Sequence, residues 1–319
     1  MNSYLPAQNS FEEFCRNEFN QLFQQTTSSV ARSLNRVNAI QQAMWPLSES
    51  VPSATRVNSQ FESIEYSFFS GGKRFRPLLA FAGGEYLDIP LESIFPWAMA
   101  IEMVHTYSLI HDDLPCMDND DVRRGQPTNH KVYGQAIALL AGDSLVTEAF
   151  AVLGKHYATK GSVLALLTGQ LAYVSGLNGM ILGQYYDMTL DQSPSLATAT
   201  HLNQIHLLKT GALISGALMG PAILKGLDED SRDAMKDVGL LLGYAFQVKD
   251  DILDGAQDKD SKKNLIYHFG DPHKLEQFLN LIHQELESKI KALNQRLNIS
   301  DQKNQILLQF LEWNIKRDK

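Results

Sequence analysis

The chain has 319 residues, 44% of them apolar, which is enough for one large core or two modest domains. Its net charge is −8 and no basic run is longer than "KRFR", which argues against nucleic acid as the main partner, because binding along a duplex needs a broad basic face. Two cysteines, Cys15 and Cys116, make no disulfide framework and point to a reducing cytoplasm.

The N-terminus, "MNSYLPAQNSFEEFCRNEF", lacks the basic start and apolar run of a secretory signal. Residues 1–55, rich in Gln, Asn and Ser with Pro46 and Pro52 near the end, read as an irregular or loosely helical lead-in. Residues 56–319 are expected to form the catalytic domain. From Phe61 onward apolar residues recur three and four apart, in "FESIEYSFF", "PWAMAIEMVHTYSLIH", "GQAIALLAGDSLVTEAFAVLGKHYA", "VLALLTGQLAYVSG" and "DAMKDVGLLLGYAFQVKDDILD". Sustained alternation is absent, and Gly, Pro and Asp mark breaks at "FSGG", "LPCMDNDD", "GLDEDS" and "FGDPH". The expectation is an all-α fold. No uninterrupted run of 18 apolar residues occurs, and Asp143 cuts "AIALLAGDSLV", so no transmembrane helix is expected.

In "SGGKRFRPLL", Pro77 suits the first turn of a helix, which places Lys73, Arg74 and Arg76 around a helix N-terminus, a ready anion site. The plain alternative is a solvated basic turn. Further on, "DDLPCMDNDD" crowds Asp112, Asp113, Asp118, Asp120 and Asp121 together, followed at once by Arg123 and Arg124. Like charges 4 Å apart repel by about 1 kcal/mol even in water, so such a cluster calls for a cation. Pro115 ends or kinks the helix there, leaving the later aspartates free to swing back toward Asp112. A calcium loop beginning at Asp118 fails, since its glycine and glutamate positions hold Arg123 and Asn129. His105, Ser108 and Asp112 line one helical face; a satisfied core histidine is the alternative for His105.

The second cluster is "FQVKDDILDGAQD". On a helix Asp250 and Asp254 share a face, Asp251 stands beside them, and Gln247 borders them. A solvated acidic turn is the plain alternative, but the apolar flank "LLGYAFQV" favours an interior position. Carboxylates without His or Cys companions suit Mg²⁺, which keeps waters and completes its shell with phosphate oxygens. The arginines fit that chemistry, because guanidinium forks bind phosphate.

Taken in order, "GGKRFRP", "DDLPCMDNDDVRRG", "GQYYD", "KTGAL" and "FQVKDDILD" resemble the motifs of trans-isoprenyl diphosphate synthases. The resemblance covers roughly residues 61–319 and is closest to the bacterial type of farnesyl diphosphate synthase; its two acidic motifs stand 138 positions apart (250 − 112). It implies the isoprenoid synthase fold, a large helical bundle around a deep central cavity, and a homodimer. It also implies a reaction in which an allylic diphosphate sits on about three Mg²⁺ ions, with Mn²⁺ as an alternative, and its cation is attacked by isopentenyl diphosphate. Carried over by motif, Asp112, Asp118 and Asp250 are metal ligands, supported by Asp113, Asp251 and Asp254. Lys73, Arg76, His105 and Arg124 resemble the isopentenyl diphosphate pocket. Arg123, Lys209 and Lys263 resemble the ligands of the allylic diphosphate, and Thr210 and Gln247 the dipoles facing the cation. Tyr107 and Ser108 hold the positions that set product length, and an aromatic at Tyr107 resembles the farnesyl makers.

Two departures stand out. The loop "GAQDKDSKKN" is shorter than the family's, leaving Lys262 as an alternative to Lys263, and the chain begins earlier than usual. Rival readings are geranyl or geranylgeranyl diphosphate as product, a non-catalytic subunit on the same fold, and a terpene cyclase. Intact aspartate motifs speak against the subunit, and "GGKRFRP" against the cyclase.

Overall fold

Helix-forming spacing over most of the chain becomes helix almost everywhere in the computed structural model, which describes residues 7–22, 24–25, 55–193, 195, 197–258, 262–300 and 303–317. In chain order the elements are α1 (residues 7–22), α2 (Thr55–Phe68), α3 (Phe75–Tyr86), α4 (Leu91–Asp112), β1 (Val122–Arg123), β2 (Gln126–Pro127), α5 (Asn129–Tyr133) and α6 (Gln135–Tyr157). They continue with α7 (Ser162–Ser175), α8 (Met180–Gln192), α9 (Ala199–Ile205), a π-helical segment (His206–Gly211), α10 (Ala212–Lys225), α11 (Glu229–Asp258), α12 (Leu265–Phe269), α13 (Pro272–Leu297) and α14 (Asn304–Lys316). Part of the lead-in, 26–54, lies outside the described residues.

The chain divides into two units, one of Pro6–Lys73 with Thr106–Thr147, the other mainly of Arg74–His105 with Glu148–Lys319. Helices α4 and α6 each contribute residues to both.

In the smaller unit the start of the lead-in belongs to the core. Phe11, Cys15 and Phe19 recur every four residues, so one face of α1 is apolar, and all three are buried. Phe19 meets Phe68 edge-on at 5.0 Å, and the Arg16 guanidinium covers Phe69 at 3.9 Å. Asn129 ties the start of α5 to α2, donating to the Ser63 carbonyl at 2.8 Å and accepting from its hydroxyl at 2.8 Å.

In the larger unit Trp97, Tyr86, Tyr157, Phe81 and Met99 are almost fully buried. Each buried polar atom of these aromatics finds a partner. Trp97 Nε1 donates to the Gly216 carbonyl at 3.1 Å, Tyr86 to Asn294 Oδ1 at 2.6 Å, and Tyr157 to the Ser93 carbonyl at 2.7 Å. A second apolar cluster gathers Leu202, Ile205, Val248, Leu265, Leu275 and Leu279, and seats α12 and α13 behind the acidic end of α11.

The criterion of unbroken apolar runs needs correcting. Three helices, Gln135–Lys160, Ser162–Gln192 and Ala199–Lys225, are long and apolar enough to cross a membrane by length and composition alone. In the last, 78% of the apolar window is buried inside the protein.

Candidate active site

The first aspartate motif sits where α4 ends. The helix stops at Asp112, three residues before Pro115, and the chain then folds back so that the Asp118 amide donates to the Asp112 carbonyl at 2.8 Å. Of the later aspartates it is the backbone of Asp118 that returns to Asp112, whereas Asp120 and Asp121 pair with Arg123 and Lys131. Next comes a two-residue hairpin, the only strand pairing among the described residues, with Arg123 opposite Gln126. Arg124 and Gly125 at its tip both have positive φ, 53° and 76°, the geometry of a type I′ turn.

The hairpin aims its two arginines differently. Arg123 Nε meets Asp113 Oδ1 at 2.6 Å, and its Nη2 meets Asp120 Oδ2 at 3.1 Å. Burial pushes the Asp113 carboxyl above the usual range, and the Arg123 guanidinium pulls it only part of the way back. Arg124 turns onto the "GG" of the basic motif, donating to the Gly71 carbonyl. Only glycine permits this at position 72, whose φ is 109° and where a Cβ would lie 2.5 Å from the guanidinium carbon. Arg123, Arg124 and Asp113 line a small cleft with Thr106, Leu109 and Asn129, about 30 Å³ in volume, room for about two waters. Tyr107 is buried, its ring standing edge-on to that of His111 at 5.6 Å, and burial raises its hydroxyl to about 12. His105, Ser108 and Asp112 are all half-buried, while Lys73 and Asp118 are exposed.

In the larger unit, Arg74 departs from the expected basic cluster. A left-handed turn at Arg74, φ 48°, sends its side chain inward, where Nη1 meets Glu102 Oε1 at 2.7 Å with both side chains 2% exposed. It is a core ion pair and no part of an anion site. Pro77 does stand in the first turn of α3, and Arg76 is half-buried there.

The second motif lies on the last turns of α11. Thr210 Oγ1 donates to Gln247 Oε1 at 2.5 Å, and Gln247 Nε2 donates to Asp250 Oδ2 at 3.1 Å, so the expected dipoles and the lead aspartate form one chain. Asp254 is exposed one turn on. Asp251 is turned elsewhere. Its Oδ2 accepts from the Leu265 amide at 3.0 Å at the start of α12, and burial, with Asp250 and Asp254 nearby, pushes its carboxyl up to about 7.

Lys209 and Lys263 come together on Asp187. Lys209 Nζ meets its Oδ2 at 2.7 Å; Lys263 Nζ meets Oδ1 at 2.8 Å and Asp191 Oδ1 at 2.6 Å. Burial pushes the Asp187 carboxyl up, but the two lysines outweigh it and hold it below the usual range. Lys262 is exposed and takes no part in this cluster, so the geometry favours Lys263 of the two candidates. Lys209 is placed by the π-helical segment, a winding that often marks functional positions, and by Gly183, where a Cβ would lie 2.2 Å from the Lys209 amide nitrogen. His206 in the same segment is held neutral, its pKa pushed down to about 4 by burial.

A family model for polyprenyl synthetase matches residues 58–298. The chain belongs to the polyprenyl synthetase family. This is a family of trans-prenyltransferases, and the chain has its all-α isoprenoid synthase fold. A farnesyl diphosphate synthase of Bacillus subtilis is 41% identical over 206 residues, 63% of this chain and 69% of that protein. A chloroplastic geranylgeranyl pyrophosphate synthase of Catharanthus roseus is 43% identical over 196 residues, 60% of this chain and 54% of that protein. The matches thus span between about half and about two thirds of these relatives' length. Among solved structures, an FPP/GFPP synthase from Zymomonas mobilis has a TM-score of 0.74 at 32% identity, covering 91% of this chain and 98% of that one. A geranyltransferase from Helicobacter pylori has a TM-score of 0.74 at 30% identity, covering 89% and 96%.

The acidic motifs offer carboxylate oxygens, the donors that suit a hard cation. Among the described residues no group of three acidic, His or Cys side chains is arranged to hold a metal ion by itself. In general Mg²⁺ takes one or two carboxylates and completes its shell with water and phosphate oxygens. Sequence reasoning missed Asp191 and Arg317, and passed over Asp187 inside "GQYYD". For the aspartates a signal existed, since Asp187 and Asp191 stand four apart on a helix.

Proposed function

We propose that the protein condenses isopentenyl diphosphate with dimethylallyl and then geranyl diphosphate to give farnesyl diphosphate, acting in the cytoplasm as a Mg²⁺-dependent homodimer. The observation that carries this reading is the pair of lysines gathered on Asp187, together with the hydrogen-bond chain from Thr210 through Gln247 to Asp250. Lys209, Lys263 and Arg123 bind the allylic diphosphate. Each rests on a carboxylate in the structure, so each is already oriented when the more highly charged diphosphate takes over as partner. Asp112, Asp118, Asp250 and Asp254 are the proposed metal ligands, with Asp113 and Asp251 holding the motifs in shape through Arg123 and the Leu265 amide. When bound, Mg²⁺ supplies positive charge to the departing diphosphate.

The chain's own groups do the rest. Cations around the diphosphate favour breaking the allylic carbon–oxygen bond, with both bonding electrons leaving on oxygen. Thr210 and Gln247 offer oxygen dipoles to the carbocation. Lys73, Arg76, His105 and Arg124 hold isopentenyl diphosphate so that its double bond attacks the cation, and the proton then lost passes to the released diphosphate. Incubating the protein with Mg²⁺, isopentenyl and dimethylallyl diphosphates and resolving the products by chain length tests the reading: farnesyl diphosphate as the main product is expected, and no elongation at all would refute it. Relatives named for farnesyl and for geranylgeranyl products match at similar identity, so a longer product is the second reading.

Product length should respond to Tyr107. Its ring is fixed by burial and by His111, which suits a rigid floor one to two helical turns from Asp112. Tyr107→Ala should move the main product toward geranylgeranyl diphosphate. A folded variant that still stops at the wild-type length would transfer the stop to Ser108 or another helix.

A further inference from the structure

The last described residue of the chain reaches the second aspartate motif. Arg317, just past α14, keeps only 3% of its side chain exposed. Its Nε donates to Asn314 Oδ1 at 3.1 Å and its Nη2 to the Phe246 carbonyl at 2.6 Å. The guanidinium carbon lies 3.8 Å from the centre of the Phe246 ring, and the Trp313 ring stacks on Phe75 at 5.3 Å, which fixes the whole turn against α3. None of these contacts involves an acidic group. From this seat Nη2 also meets Asp250 Oδ1 at 2.7 Å. The other carboxylate oxygen of Asp250 accepts from Gln247, itself fixed by Thr210. Asp250 is therefore held from two sides, by α14 and by the π-helical segment.

We propose that Arg317 is a positioning residue for the divalent cation at Asp250, setting the carboxylate's direction before the ion arrives. This rests on the functional reading above and deepens it. A carboxylate has about four lone-pair sites. Arg317 takes one oxygen and Gln247 the other, so the plane of the carboxylate is fixed. Partners that orient a metal ligand in this way change metal affinity by about 10–100-fold when removed. A second effect opposes it, because a guanidinium beside Asp250 repels a dication, and Asp254 attracts the same guanidinium. The two effects separate by substitution. Arg317→Ala removes both charge and fork, whereas Arg317→Lys keeps the charge and loses the fork.

The experiment titrates Mn²⁺ into the full-length protein with inorganic pyrophosphate, following free Mn²⁺ by electron paramagnetic resonance. Orientation predicts that Arg317→Ala raises the half-saturating Mn²⁺ by about tenfold or more, with Arg317→Lys between alanine and wild type. The Mg²⁺ needed for half-maximal turnover should rise in parallel, while kcat at saturating Mg²⁺ changes by less than about threefold. A purely structural role would instead lower kcat and the thermal midpoint and leave the metal dependence alone. Wild-type-like or tighter Mn²⁺ binding by a folded Arg317→Ala protein overturns the proposal. Removal of residues 317–319 is a second route to the same loss, should alanine perturb α14. A wild-type protein that binds no Mn²⁺ with pyrophosphate would overturn the functional reading itself, a result distinct from unchanged binding in the variants.

Discussion

Replacing either Asp112 or Asp250 by alanine is expected to cut the prenyl-transfer rate at least a hundredfold, a loss of at least ~3 kcal/mol of transition-state stabilisation. The reaction concentrates negative charge on the leaving diphosphate, and a missing metal ligand leaves it uncompensated at that moment. The two variants should differ in stability. Asp250→Ala strips the acidic partner from an Arg317 side chain that is 3% exposed, so its thermal midpoint falls as well. Asp250→Asn keeps one acceptor oxygen, enough for Arg317 or Gln247 but not for both, and should restore part of the stability but little of the activity. Steady-state rates at saturating Mg²⁺, set beside thermal unfolding of each variant, distinguish the effects. Near-normal turnover in a folded Asp112→Ala or Asp250→Ala protein would show that the metal ligands are wrongly assigned.

Glu102→Ala should destabilise the larger unit by about 3–5 kcal/mol, because it takes the carboxylate away from a buried guanidinium. Both side chains of that pair are 2% exposed, so water cannot take the place of the lost carboxylate. The double replacement Arg74→Met with Glu102→Leu should recover most of the loss, since apolar groups of similar volume often match a buried ion pair. Chemical denaturation of the two variants against wild type measures both numbers. If the single and double replacements are equally unstable, the helix start at Phe75 needs the arginine itself.

Much of this was legible beforehand. Spacings of three and four gave the helices from Phe61 onward, and the crowding at Asp112 and Asp250 gave both acidic motifs. What escaped was set by backbone direction and by distant partners. Arg74 reads as one cation among three until its left-handed φ swings it inward to Glu102, 28 positions away. Asp251 looks equivalent to Asp250, yet one helical step turns it to the Leu265 amide, 14 residues on. Arg317 carries no motif, and only tertiary packing brings it back to Phe246. A two-residue hairpin is too short to leave alternation in the sequence. In the lead-in, the four-residue spacing of Phe11, Cys15 and Phe19 was readable but masked by the polar composition around it.

The π-helical segment at His206–Gly211 also restricts how the gene can change in length. A π-turn is an α-helix with one residue too many, and deleting any residue there would let regular winding resume. The helix upstream would then rotate by about 100° relative to α10. Leu202 and Ile205, now buried against Leu265 and Leu275, would swing off that cluster, and Lys209 would lose its register with Asp187. Loops elsewhere absorb insertions and deletions at little thermodynamic penalty. Here the surplus residue is itself the device that aims the lysine, so related sequences should hold the residue count of this helix constant.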